Sequence, residues 1–150
     1  MLVLYIKLPT VSSPMMISGR STAEGNAQRS DEALKFAQVF FQKQDKEKET
    51  LCEMYHDQST LIWNGQPYKT KTSIAKFYHT QEPVETLLQA LDAQIMPQMG
   101  EIVDMITIIA GGKIKQGTVT SNFSRTFLLG PNLPASSEYL IFSDTMRIQT

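Results

Sequence analysis

The sequence predicts one α+β domain, on three observations. Helical periodicity is concentrated in the first half of the chain, long strand-like runs fill the second half, and an Asn-Gly turn signal marks an early hairpin between them. A length of 150 residues, with 41% hydrophobic and 19% charged residues, suits one compact core rather than two.

Residues Pro9 to Arg29 are rich in Ser, Gly, Met and Pro without helical or strand periodicity, so residues 1–29 read as a flexible leader and 30–150 as the folded domain. Ser30 is a good N-cap with Asp31 and Glu32 behind it. Ala33, Phe36, Ala37, Phe40 and Phe41 then recur at helical spacing. A second short helix is expected from Asp45, as its cap, through Leu51, Met54 and Tyr55, with the alternating charges of Lys43 to Glu49 solvated. Thr60 to Trp63 is β-prone and closed by Asn64-Gly65, which predicts a two-residue hairpin with Gln66 to Tyr68 as the return strand. Thr72 or Ser73 should cap a third helix through Ile74, Phe77 and Tyr78. Strands follow at about Glu85 to Met96, Ile102 to Lys113, Val119 to Leu129 and Tyr139 to Gln149.

Alternation divides these strands into two faces. In the last strand Leu140, Phe142, Met146 and Ile148 share the parity expected to meet the helices, while Tyr139, Ile141, Ser143, Thr145, Arg147 and Gln149 share the other. In Val119 to Leu129, Phe123 and Phe127 fall on one face and Asn122, Ser124, Thr126 and Leu128 on the other. Three short helices cover one face of a sheet. A second layer from another chain is the simplest cover for the mixed, uncharged face, which predicts a dimer through the sheet.

The run Phe36, Phe40, Phe41, Asp45-Lys46, Leu51 to Tyr55, Leu61-Ile62-Trp63-Asn64-Gly65, Ser73-Ile74 with Phe77, Asp92 with Gln94, Gly112, Gly117, Phe123, Phe127 to Leu129, and Ser143-Asp144 with Arg147 resembles the nuclear transport factor 2-like family. Within it the chain is similar to the small subunits of mRNA export receptors, which Trp63-Asn64-Gly65 and Ser143-Asp144 favour. The resemblance implies a cone of three N-terminal helices packed on a strongly bent antiparallel sheet. It also implies a heterodimer, sheet to sheet, with a large nuclear RNA export factor. The chain would then support nucleoporin binding by the pair, meet RNA only indirectly, act without a cofactor, and shuttle between nucleus, pore and cytoplasm. Arg147 matches the family arginine that pairs with an acidic partner residue, and Asp92, Gln94, Asn122, Ser124, Thr126, Ser143, Thr145 and Gln149 are the further partner-binding candidates. The leader has no counterpart in the family, Gln66 replaces a common asparagine, and Met146-Arg147-Ile148 replaces an aromatic-Arg-aromatic ending. An isologous homodimer stays open, and so does a homodimeric import factor for the small GTPase Ran in its GDP form.

Other chemistry is weaker. A formal net charge of -1 gives no basic field for a phosphate backbone. One cysteine excludes an internal disulfide and a thiolate-rich zinc site, so no metal is expected, and no apolar run reaches the roughly 20 residues of a membrane span. Related folds host isomerases and dehydratases, in which Asp104 could serve as a base with Tyr55 or Tyr78 as an oxyanion donor. A carboxylate in such a strand is at least as often a paired residue. Cys52 and His56, four apart on a helix, could form a thiolate-imidazole pair, against a plainer reading as filler and exposed helix end. Trp63 and the Phe36, Phe40, Phe41, Phe77 set read as core anchors before ligand platforms.

Overall fold

The computed structural model describes residues 23–96, 105–132 and 138–149. Helix α1 (Ala23–Lys46) leads into a one-turn helix α2 (Lys48–Leu51) and a 3-10 turn, Cys52–Met54. The hairpin strands β1 (Tyr55–Trp63) and β2 (Gln66–Lys69) come next, then α3 (Lys71–Thr80), then β3 (Val84–Ile95), β4 (Ile106–Gln116), β5 (Val119–Pro131) and β6 (Tyr139–Gln149). The strands form one six-stranded sheet in the order β2-β1-β6-β5-β4-β3.

One feature departs from the expected antiparallel sheet. β6 returns between β5 and β1 and runs parallel to β1, all other neighbours being antiparallel. Asn64 and Gly65 turn the hairpin with φ of 50° and 85°, the positive values a two-residue turn needs at both positions. Asn64 also ties that turn to the last strand. Its Oδ1 accepts the Ile148 N–H at 2.6 Å and its own N–H donates to the Met146 carbonyl at 2.9 Å.

The helical boundaries differ from expectation in three places. α1 begins at Ala23, so Ser30 lies within the helix and caps nothing; Ala27, Gln28 and Arg29 are tolerable helix residues, and Arg29 is buried, so packing extends the helix N-terminally. Asp45 closes α1 instead of opening a second helix. Its carboxylate accepts the Thr86 N–H at 2.7 Å and the Thr86 hydroxyl at 2.9 Å, pinning the helix end to β3. The second helix is a single turn, because the chain becomes extended at Tyr55. α3 starts at Lys71 behind Thr70, which makes no side-chain cap, so Thr72 and Ser73 sit inside the helix.

The core lies between α1, α3 and the inner sheet face. Phe40 stacks edge-on against Phe127 at 4.8 Å and Phe41 packs on Phe123 at 5.8 Å, over buried Ile106, Ile108, Leu129 and Ile141. Removing a ring of this kind costs about 3–5 kcal/mol, because transfer free energy and cavity formation add. Register shifts interrupt three strand pairings, β3–β4, β5–β6 and β1–β6. At the first, between Leu88 and Ala90, β3 comes so close to β4 that a Cβ on Gly112 would lie 2.0 Å from the Leu87 carbonyl oxygen, so only glycine fits.

The second bulge corrects the expected parity of β6. Leu128 opposes Ser143 but Leu129 opposes Ile141, leaving Phe142 as the extra residue. Tyr139 and Ile141 therefore point inward, Ile141 being fully buried, while Leu140 and Phe142 leave the inner face.

Candidate functional site

Two surfaces could carry function: the interior of the cone and the outward face of the sheet. The interior holds a polar network that sequence reasoning missed. Arg125, on β5 between Phe123 and Phe127, is 1% exposed, and Asp144, on β6, is 0% exposed. The guanidinium donates to the Asp144 carboxylate through Nε (2.8 Å) and Nη2 (2.7 Å), to Gln44 Oε1 of α1 through Nη1 (2.5 Å), and to the Tyr78 hydroxyl of α3 through Nη2 (2.8 Å). The Tyr55 hydroxyl of β1 donates to Asp144 Oδ2 at 2.5 Å and lies 2.8 Å from the Tyr78 hydroxyl. Since the single proton of Tyr55 is committed to the carboxylate, Tyr78 donates to Tyr55, and the donors close a ring from Arg125 through Tyr78 and Tyr55 to Asp144. Four aromatic rings surround the cation, Phe40 nearest with its centroid at 4.6 Å, then Phe127 (5.1 Å), Trp63 (5.5 Å) and Phe41 (5.8 Å).

Burial and the neighbouring carboxylate reinforce the neutral phenols. Burial first, then Asp144, push Tyr55 well above its ordinary value; burial pushes Tyr78 up to about 12 despite Arg125. For Arg125 burial works against the charge, but the attraction of Asp144 outweighs it and the group stays firmly cationic. The Asp144 carboxylate, both phenols and the guanidinium are thus bound to one another, and the Gln44 amide passes the network on to the Thr86 hydroxyl of β3 at 3.4 Å. The arrangement cross-links α1, α3, β1, β5 and β6 and has no free group aimed at a substrate.

Of the enzyme candidates, Tyr55 and Tyr78 are brought together, but on Asp144; Asp104 lies outside the described residues. Cys52 falls in the 3-10 turn, and His56 lies on β1, so their helical spacing does not exist. Trp63 packs on Phe77 at 5.1 Å, and Phe36, Trp63 and Phe77 lie against the core. Gln44, within a run expected to be solvated, is fully buried. Among the described residues there is no cluster of metal-ligating side chains, and no helix is long and apolar enough to cross a membrane.

The outward face carries all nine partner-binding candidates. The register lays them in transverse rows: Asp92, Ile109, Thr126, Thr145 and Ile62 in one, Gln94, Thr107, Leu128, Ser143 and Thr60 beside it. Ser124 opposes Arg147, and Asn122 opposes Gln149. Hydroxyl and amide groups dominate, Arg147 is exposed, and large apolar side chains stand uncovered at Leu87 (58%) and Ile109 (50%). The one-residue alternation of β5 and β6 made most of this face legible. The same alternation put Arg125 and Asp144 inward, opposite charges on inner positions of successive strands, which was the available signal for the buried pair.

Comparison with known proteins agrees with this architecture. The family model of the nuclear transport factor 2 (NTF2) domain matches residues 32–148. NTF2-related export protein 2 of Mus musculus is 28% identical over 120 residues, 78% of this chain and 84% of that protein. The NTF2-related export protein of Caenorhabditis elegans is 28% identical over 137 residues, 87% and 98%. Among solved structures, nuclear transport factor 2 from Cryptosporidium parvum superposes with a TM-score of 0.68 at 20% identity, covering 83% of this chain and 94% of that one. The C. albicans Mtr2-Mex67 M domain complex gives 0.61 at 14% identity, covering 79% and 94%. With a matched family model across most of its length and the corresponding fold, the chain belongs to the nuclear transport factor 2 family.

Proposed function

We propose that this chain is a non-catalytic partner subunit that pairs through its outward sheet face with the sheet of a large nuclear RNA export factor. The pair then engages nucleoporins and carries mRNA through the nuclear pore. The observation that carries the reading is the asymmetry of the sheet. Its inner face is filled by core and by a buried polar network, whereas its outer face gathers Arg147, Asp92, Gln94 and a field of hydroxyl and amide groups, with Ile109 and Leu87 exposed toward its β4 and β3 side. Such a surface is polar enough to remain in water and, on its β3–β4 side, apolar enough to be buried by a partner. Relatives named NTF2-related export proteins support the export assignment. RNA recognition falls to the larger partner, consistent with a net charge of -1 on this chain.

In this reading Arg147 meets a carboxylate of the partner. The full chain, used as bait in nuclear extract, should recover an RNA export factor in a one-to-one complex by mass spectrometry and light scattering. Arg147→Glu should weaken that complex by tenfold or more. Recovery of GDP-bound Ran with a self-paired dimer would make the chain an import factor instead, and recovery of neither would reject the partner-subunit reading.

A further inference from the structure

The second bulge does more than bend β6. Without it, alternation would carry Phe142 into the core; with it, Ile141, Leu129 and Tyr55 fill the inner positions and the phenyl ring is turned to the other side of the sheet. The ring lies over Gly130, where a Cβ would come within 2.7 Å of its Cε2 and 2.8 Å of Met105 Sδ, so the glycine is what makes room for it. Gly130 must present that direction outward, because its neighbour Leu129 is fully buried inward. On its other side Phe142 is stacked by His56, centroids 4.4 Å apart and planes 18° from parallel. The His56 ring is itself fixed, its Nδ1 accepting the Gln58 N–H at 3.1 Å. A bulge, a glycine and a stacked imidazole thus combine to hold one large aromatic, half-buried, on the outward side of the sheet. Leu128 stands in the adjoining row beside Ser143, and Met96, 39% exposed, bonds its N–H to the Met105 carbonyl at the same end.

From this geometry we infer that Phe142 is an apolar anchor of the partner-binding face, paired with an aliphatic patch on the partner's sheet. The inference rests on the heterodimer reading and adds to it a second zone, at the opposite end of β6 from Arg147. Bulges re-aim side chains, and rigid aromatics held in place before binding lose little entropy on association, which is why they dominate interface energetics. The occupant is the partner's sheet rather than a separate ligand, because the zone is continuous, through Leu128 and Ser143, with the row that holds Ile109 and Thr145.

Met96 and Met105 are built-in reporters, and Met54 and Met146, buried beneath the helices, are internal controls. The full chain is oxidised by dilute peroxide alone and with the sheet-bearing domain of the export factor, and the rate at each methionine is read by mass spectrometry. Slowing of Met96 and Met105 by threefold or more in the complex, together with a tenfold weaker complex for Phe142→Ala, is the expected result. If the complex forms but both methionines oxidise at their free rate and Phe142→Ala binds like the wild type, the anchor is overturned while the heterodimer stands. If no complex forms, both fall. Protection already present in the free chain also overturns it: loss of that protection on removing residues 1–22 would assign the zone to the chain's own leader, and protection that rises with chain concentration would assign it to a second copy.

Discussion

Arg125 and Arg147 stand on neighbouring strands, a single register step apart, with Arg125 opposite Met146 and Arg147 opposite Ser124. One faces in and the other out. Arg125 has traded all contact with water for a carboxylate, an amide, a phenol and four ring faces; Arg147 keeps its hydration. The same side chain is therefore a structural element on one face and an available charge on the other. The difference shows that family membership assigns no role to a charge until the strand parity under it is known. Buried ion pairs rarely add stability over a well-packed apolar substitute, so the inner pair is best understood as fixing how five elements meet, whereas the outer arginine leaves the fold untouched.

The most severe way to break this contrast is to remove one partner of the inner pair. Asp144→Ala leaves an unpaired guanidinium among aromatic rings and should lower stability by about 3–5 kcal/mol in urea unfolding, while the double change Arg125→Met with Asp144→Leu should recover most of that loss. Alkali tests the phenols of the same ring. Tyr78 has its folded value raised to about 12 from 10.0, and burial and Asp144 likewise hold Tyr55 well above its ordinary value, so both remain protonated in the folded chain when their unfolded counterparts ionise. The stability they provide is fully present below pH 10 and is lost as pH rises toward 12, with a slope approaching about 1.4 kcal/mol per pH unit for each tyrosine. Unfolding midpoints between pH 8 and pH 11, at intervals of about half a unit, should show this decline, and Tyr55→Phe with Tyr78→Phe should flatten it. The smallest effect belongs to the outer arginine. Arg147→Glu should move the unfolding free energy of the isolated chain by no more than about 0.5 kcal/mol; a loss as large as that of Asp144→Ala would erase the distinction between the faces.

Much of this organisation was legible in the sequence because it rests on local signals. Asn64-Gly65 dictates its turn through the positive φ of both residues, and the Phe123-Phe127 alternation sets the facing of β5. What escaped depends on distant partners. Asp45 looks like a helix cap, and nothing near it in the chain announces Thr86, 41 residues later. Ser30 looks like a helix start because its residue type is favourable, yet packing carries α1 back to Ala23. Phe142 shows the limit most clearly. Alternation in β6 is regular enough to place the ring inward, and only the chain-distant Gly130 and His56 make the outward position available. The inward parity of Arg125 and Asp144 was readable, but their meeting required knowing that β5 and β6 are neighbours.

The placement of β6 has a consequence for how the molecule comes into being. Of the described strands it is made last, yet it lies in the interior of the sheet, joining the β1-β2 hairpin to the β5-β4-β3 meander. During synthesis the two halves of the sheet have no bridge between them, and Arg125 waits in an unfinished core for a carboxylate 19 positions downstream. Pairings so remote in sequence, such as Leu61 with Asp144, bear the loop-closure cost that slows folding. The sheet is therefore joined only as β6 emerges from the ribosome, and the outward face gains Ser143, Thr145, Arg147 and Gln149 at that same moment.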